Sequence, residues 1–282
     1  MLIELTPKCR CLLTDLLTEE TELGYYQIQK TIRNKSVKVN NIRVNCDMNV
    51  FPSDKVCVYV KDRDKDFIEV MYRDDNILVV NKPCGMEVLG EDSLTSRVND
   101  SLDEGTATAV HRLDRNTLGL VVFALTKSAY NDLIESFKDR DIDKTYQTIV
   151  VGRPKSNVGT LKNFLFKDAK KSLVYISDVP KEGYMPVELS YKVMRPLGEL
   201  TLLEVKPITG RTHQIRAQLA HINLPVLGDG KYGINKINVR YKIKTQLLAC
   251  TKITFHFEKG PLKYLDNKSV VLSIDLTNYY KK

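Results

Sequence analysis

Apolar residues in this chain come in short, punctuated runs, and that pattern restricts the folds open to it. Ile77–Val80, Lys144–Val151, Leu200–Val205 and Leu120–Leu125 are too short for core helices, and each lies within two residues of Gly, Pro or Asn. Helical spacing over the middle of the chain is confined to about 127–139, with Ala129, Leu133, Ile134 and Phe137 on one face, and to the stretch after Gly210. Many short strands with tight turns and few helices predict an α+β fold. The expected core is a mixed, largely antiparallel central sheet flanked by helices.

No apolar run has the length of a membrane span, and Met1-Leu2-Ile3-Glu4-Leu5 lacks the basic start of a signal peptide. The six cysteines (Cys9, Cys11, Cys46, Cys57, Cys84 and Cys250) are not spaced for metal binding, and with four scattered histidines they predict free thiols in a reducing, cytoplasmic setting and no metal. The net charge of +8 is uneven: residues 231–282 carry 11 Lys and Arg against 3 Asp and Glu, so the rest of the chain is neutral. A basic segment of that kind can lie along a phosphate backbone, or can be a solvated surface.

Residues 1–62 read as a separate small unit. Cys11–Leu17 and Tyr25–Ile32 have helical spacing, then Val37–Asn40, Ile42–Val44 and Val56–Val60 alternate as strands around turns at Asn40-Asn41 and Pro52-Ser53-Asp54. Two helices followed by short strands resemble the S4-like RNA-binding domain. Ile28 to Arg43 holds Lys30, Arg33, Lys35, Lys38 and Arg43 with no acidic residue, a composition suited to phosphate contact. The alternating charges of Lys61–Asp66 mark a linker, and a second unit is expected over 68–282.

That second unit carries the motifs. His111-Arg112-Leu113-Asp114 precedes a turn at Asn116–Gly119 and an apolar strand, so Asp114 sits in a loop held by the strand behind it. About thirty residues earlier stands Val79-Val80-Asn81-Lys82-Pro83-Cys84-Gly85. Tyr146 follows 32 residues after Asp114 in a Lys144-x-Tyr146 strand. Residues 153–198 alternate short strands with Gly, Pro and Asn turns and carry no motif. Then comes Gly210-Arg211-Thr212-His213-Gln214-Ile215-Arg216, a turn entering a helix whose stripe is Ile215, Leu219 and Ile222, with Pro225-Val226-Leu227-Gly228-Asp229 beyond it. Arg216 falls one step from Ile215, at the edge of the buried face.

These segments, in this order, resemble the RluA-type pseudouridine synthases over about residues 70–275. The resemblance implies Asp114 as the catalytic aspartate and Arg216 as its paired arginine. It implies Tyr146 as the tyrosine that stacks on the flipped base and is proposed as a base, and Arg112 as the side chain entering the RNA in place of that base. His111, Lys82 and Arg211 are further candidates for RNA contact. Leu118 stands where the family commonly has Ser. The implied reaction detaches uracil from C1′, turns it and rejoins it through C5. It needs no redox step or energy input, in keeping with the absence of a P-loop or dinucleotide fingerprint, and no cofactor is expected. The implied partner is RNA, ribosomal first and transfer RNA second, and the chain is expected to act as a monomer. An RNA-binding or ribosome-assembly factor without the chemistry stays open. A carboxylate glycosidase needs a second placed acid, which the sequence does not offer.

Overall fold

The computed structural model describes residues 2–21, 23, 25–59, 68–102 and 104–280. The predicted linker at 61–66 lies outside the described residues. The chain begins with β1 (Leu2–Leu5), β2 (Cys11–Leu12), α1 (Leu13–Glu20), α2 (Tyr25–Arg33), β3 (Val37–Val39), β4 (Ile42–Val44), β5 (Asn49–Val50) and β6 (Val56–Tyr59). It continues with β7 (Glu69–Arg73), β8 (Ile77–Lys82), α3 (Leu94–Asp100), β9 (Thr108–Ala109), β10 (Leu118–Ala124), α4 (Lys127–Asp139) and β11 (Ile142–Val151). The remainder is β12 (Val158–Asp168), β13 (Leu173–Ser177), β14 (Met185–Leu197), β15 (Leu200–Pro207), α5 (Gln214–His221), α6 (Asn235–Arg240), β16 (Leu248–Phe255) and β17 (Ser269–Val271). Two compact units result, Met1–Ile68 with Ser96–Thr106, and Glu69–Thr95 with Ala107–Lys282.

In the first unit, β1, β6, β3 and β4 form an antiparallel sheet in that order. β1 was not expected from the sequence. Asn40 and Asn41, at φ 50° and 68°, make the tight turn between β3 and β4, a conformation asparagine tolerates better than most residues. Leu13, Leu16 and Leu17 of α1 meet Ile28 and Ile32 of α2 over Val37, Val39, Val56 and Val58. Each helix thus buries residues spaced three or four apart, and β3 buries alternate ones.

The second unit holds the expected mixed, largely antiparallel sheet. Its order is β13-β12-β14-β15-β11-β16-β10-β8-β7, with β17 also on β16 and β9 also on β10. Among the described residues its one parallel pairing is β10 with β16, over Leu118↔Ala249 and Gly119↔Cys250. Leu120 to Ala124 are at most 1% exposed, as expected of a strand covered on both faces. Gly119 was read as part of the turn, but it lies inside β10 at φ 112°. The turn closes earlier, with the Thr117 N–H donating to the Asp114 carbonyl at 3.0 Å. A Cβ on Gly119 would overlap the Cys250 backbone, so glycine is what lets the two strands run side by side here.

Helix α4 has the predicted span, and its cap is Thr126, whose hydroxyl accepts from the Ala129 N–H at 3.1 Å. Its buried face is Ala129, Leu133 and Ser136; Ile134 points outward, 40% exposed. Helix α5 departs further from an amphipathic reading, since Gln214 to Leu219 are all buried. Its polar residues are satisfied internally. Gln214 Nε2 donates to the Glu188 carbonyl (3.0 Å) and to Gln218 Oε1 (3.0 Å), and Gln218 Nε2 donates to Asn163 Oδ1 (2.8 Å). This ladder fixes α5 on β12 and β14, and with it the direction of Arg216.

Candidate active site

The loop that carries Asp114 is held from several sides. Lys82, at the end of β8, is fully buried and donates to three backbone carbonyls: Pro83 (2.9 Å), Met86 (2.8 Å) and Arg115 (3.0 Å). The Arg115 carbonyl also accepts the Gly85 N–H (2.9 Å), and Arg115 Nε returns a bond to the Gly85 carbonyl (3.0 Å). Gln246 Nε2 donates to the Thr117 hydroxyl (2.8 Å). At the loop's other end, His111 Nε2 accepts the Val122 N–H of β10 at 3.0 Å. Burial, and then the nearby Lys144 charge, push the His111 imidazole down to about 3, so it is a neutral acceptor at physiological pH.

Two residues expected to contact RNA therefore have other positions. Lys82 cannot reach a phosphate, because all three of its N–H groups are spent on carbonyls beneath the loop. His111 uses one ring nitrogen in the sheet and packs its ring on Phe137, 4.8 Å between centroids. Both act on the Asp114 loop, from below and from behind.

Arg216 joins two carboxylates. Its Nη1 donates to Asp114 Oδ2 at 2.8 Å, while Nε and Nη2 grip Asp229 Oδ2 and Oδ1 at 2.7 and 2.8 Å. The Asp229 side chain is fully buried and that of Asp114 is 22% exposed. Asp229 Oδ1 also accepts the N–H groups of Lys231 (2.8 Å) and Tyr232 (3.1 Å). Burial pushes the Asp229 carboxyl up, but Arg216 and those N–H groups outweigh it and bring it below its ordinary value. Burial likewise opposes the Arg216 charge, and the two carboxylates overcome that and hold it above its ordinary value. A two-toothed grip from behind leaves one guanidinium nitrogen to aim Asp114.

Asp114, Tyr146, Arg216, Arg112, His111 and Arg211 all border one cavity of about 260 Å³, with Lys144, His213 and Leu248 also in its wall. Tyr146 lies on β11 beside a register shift at Thr145/Tyr146 and directly opposite Cys250 of β16. It is 8% exposed. Burial, with the Cys250 thiol next to its hydroxyl, raises the Tyr146 phenol well above its ordinary range. A phenol so held offers a ring face and an O–H donor, and is a poor proton acceptor at neutral pH.

His213 caps α5 in a left-handed conformation, φ 53°. The Tyr232 hydroxyl accepts the Val174 N–H at 2.8 Å and lies 2.9 Å from His213 Nδ1. With that hydroxyl donating, the imidazole proton sits on Nε2.

Arg112 and Arg211 are exposed at the cavity. Leu118 is absent from the cavity wall and packs instead beside Ile149, Leu200 and Leu227. In the first unit, Arg33 and Lys35 are exposed, and Lys38 and Arg43 stand over the Tyr59 ring at 5.3 and 5.9 Å. The Lys30 side chain lies outside the described residues. Sequence reasoning assigned no role to Asp229, Tyr232 or Lys144. Asp229 closes the Pro225–Asp229 segment of the resemblance, with no partner for it legible there. Among the described residues, no group of three or more His, Cys, Asp and Glu side chains is arranged to hold a metal ion.

The family profile described as RNA pseudouridylate synthase matches residues 76–221, just over half of the chain. An uncharacterized RNA pseudouridine synthase of Mycoplasma capricolum is 34% identical over 278 residues, covering 88% of each protein. The ribosomal large subunit pseudouridine synthase C of Escherichia coli is 32% identical over 226 residues, covering 73% of this chain and 70% of that protein. The structure of human RNA pseudouridylate synthase domain containing 4 superposes with a TM-score of 0.62 at 21% identity, over 75% of this chain and 90% of that one, and shows the shared fold. On the family profile and these relatives together, the chain belongs to the RNA pseudouridylate synthases, which are isomerases.

Proposed function

We propose that this protein converts specific uridines of large-subunit ribosomal RNA to pseudouridine, with Asp114 as its catalytic carboxylate. The observation that carries the assignment is the asymmetric grip on Arg216. Asp229 is fully buried and saturated, whereas Asp114 is partly exposed at a cavity and keeps one oxygen out of the Arg216 contact. A carboxylate held in that way can attack C1′ or stabilise charge on it. The C1′–N1 bond breaks and a C1′–C5 bond forms; C5 gives up its hydrogen and N1 gains one. Tyr146 supplies a flat wall for the turning uracil. The target must leave its stack to reach the cavity, which costs a few kcal/mol; the proposed role of Arg112, one of two exposed arginines at the cavity, is to fill the gap.

The choice of ribosomal RNA is supported by the Escherichia coli relative, whose name specifies the large ribosomal subunit; transfer RNA is the alternative. The first unit is proposed as an S4-like RNA-binding domain over 1–62, supported by exposed Arg33 and Lys35 and by Lys38 and Arg43 around Tyr59. A cytoplasmic monomer is proposed as well. All six cysteines are free thiols, and Asp114, Tyr146 and Arg216 come from one chain.

Tritium release from RNA labelled at C5 of uridine tests the assignment, with ribosomal and transfer RNA from cells lacking this protein as separate substrates. Release by the wild type and none by Asp114→Ala is expected. Binding without release by the wild type would instead identify an RNA-binding factor that has lost the chemistry.

A further inference from the structure

Two lysines flank the Asp114 loop, and they are treated in opposite ways. Lys82 is fully enclosed and each of its N–H groups meets a carbonyl. Lys144, on β11 two residues before Tyr146, is half-buried in the cavity wall. Its ammonium makes no hydrogen bond and no ion pair among the described residues. It lies instead over the face of Phe137, 5.0 Å from Nζ to the ring centroid. A ring face covers one side of an ammonium and leaves its N–H groups unused.

Withdrawing an ammonium from water without a counter-ion is costly, so such groups are normally paired. Burial does draw the Lys144 amine below its ordinary value. Among the described residues, no carboxylate is paired with it. Asp114 is already engaged by Arg216, and the other charged side chains in the cavity wall, Arg112 and Arg211, are cations. The Lys144 Nζ also lies close to Gly210, the glycine that opens the turn into α5. Gly210 itself puts no side chain over that ammonium.

We infer that Lys144 is a phosphate-binding residue of the cavity, contacting a backbone phosphate of the flipped nucleotide. This rests on the RNA reading above and adds to it the place where the strand's charge is received. Asp114 and Lys144 then serve different parts of one nucleotide, the anomeric carbon and the phosphate.

The test is the salt dependence of RNA binding, measured by filter retention of ribosomal RNA from cells lacking the protein. Losing one phosphate contact lowers the slope of log affinity against log salt by about 0.7 to 0.9. Lys144→Met should show that drop, with KM raised about tenfold and kcat changed far less. Lys144→Arg should keep the wild-type slope. An unchanged slope in folded Lys144→Met would overturn the inference and leave Lys144 as a packing residue on Phe137. A fall in kcat with an unchanged slope would overturn it too, placing Lys144 on the base.

A second measurement needs no variant. Amine acetylation of the wild type, read by mass spectrometry, should be blocked at Lys144 by uridine 5′-monophosphate at concentrations where uridine gives no protection. Equal protection by both refutes the phosphate contact. Both binding readouts hold even if the wild type releases no tritium, so failure of the isomerase assignment is seen separately.

Discussion

Replacing Asp229 by Asn should weaken both the fold and the site, by an amount that can be worked from the contacts. In the wild type, Oδ1 accepts from Arg216 Nη2, Lys231 N–H and Tyr232 N–H, and Oδ2 accepts from Arg216 Nε. An Asn oxygen can keep the first three bonds. Its amide nitrogen then faces Arg216 Nε–H, donor against donor, and the negative charge is gone. Breaking a buried pair from one side costs about 3–5 kcal/mol. Arg216 retains Asp114 as a counter-ion, so the lower end applies, about 3 kcal/mol. For a unit of roughly two hundred residues that lowers Tm by about 6–12 °C. The chain has no Trp, so circular dichroism is the probe. The sign with pH is fixed by the depressed carboxyl. Its contribution is present above the unfolded value near pH 4 and is lost as pH falls through the folded value. The gap between wild type and Asp229→Asn should therefore shrink below about pH 4. A Tm within about 2 °C of wild type at pH 7 would refute the claim that Asp229 anchors Arg216.

The remaining predictions concern the frame around Asp114. Lys82→Met should cost about 3 kcal/mol by orphaning carbonyls beneath the loop, and should lower kcat; Lys82→Arg should not rescue it, because a planar fork cannot meet three converging carbonyls. Urea midpoints with kcat at saturating RNA check both. Gly119→Ala should destabilise by about 3 kcal/mol, since its Cβ overlaps the Cys250 backbone at positive φ; a wild-type urea midpoint would sink this. His111, depressed to about 3, binds a proton more readily when unfolded. Stability should then fall as pH drops below about 6.5, by up to about 1.4 kcal/mol per pH unit, and His111→Gln should lose that part of the slope.

What the sequence disclosed, and what it hid, follows from the kind of interaction involved. β8, β11 and β15 were legible because continuous burial leaves apolar runs. β12 and β14 fall where short strands were expected, but their lengths of 11 and 13 residues were not legible, since much of each is exposed and leaves no continuous apolar run. Asp114, Tyr146 and Arg216 were picked out by motif, and the cavity they share is a fact of three dimensions. Asp229 stayed hidden because its value lies in a contact 13 residues back along the chain. Lys82 was misread for a related reason. A lysine at a strand end ordinarily points to water, and no local pattern announces three carbonyls converging on it.

The enclosed Lys82 has a consequence for how the protein meets changing ionic conditions. Capture of a polyanion by exposed Arg and Lys weakens steeply as salt rises. An ammonium sealed beneath a loop and bonded to uncharged carbonyls feels almost none of that screening. Cellular ions can thus govern how often an RNA is held while the geometry of the carboxylate loop stays constant.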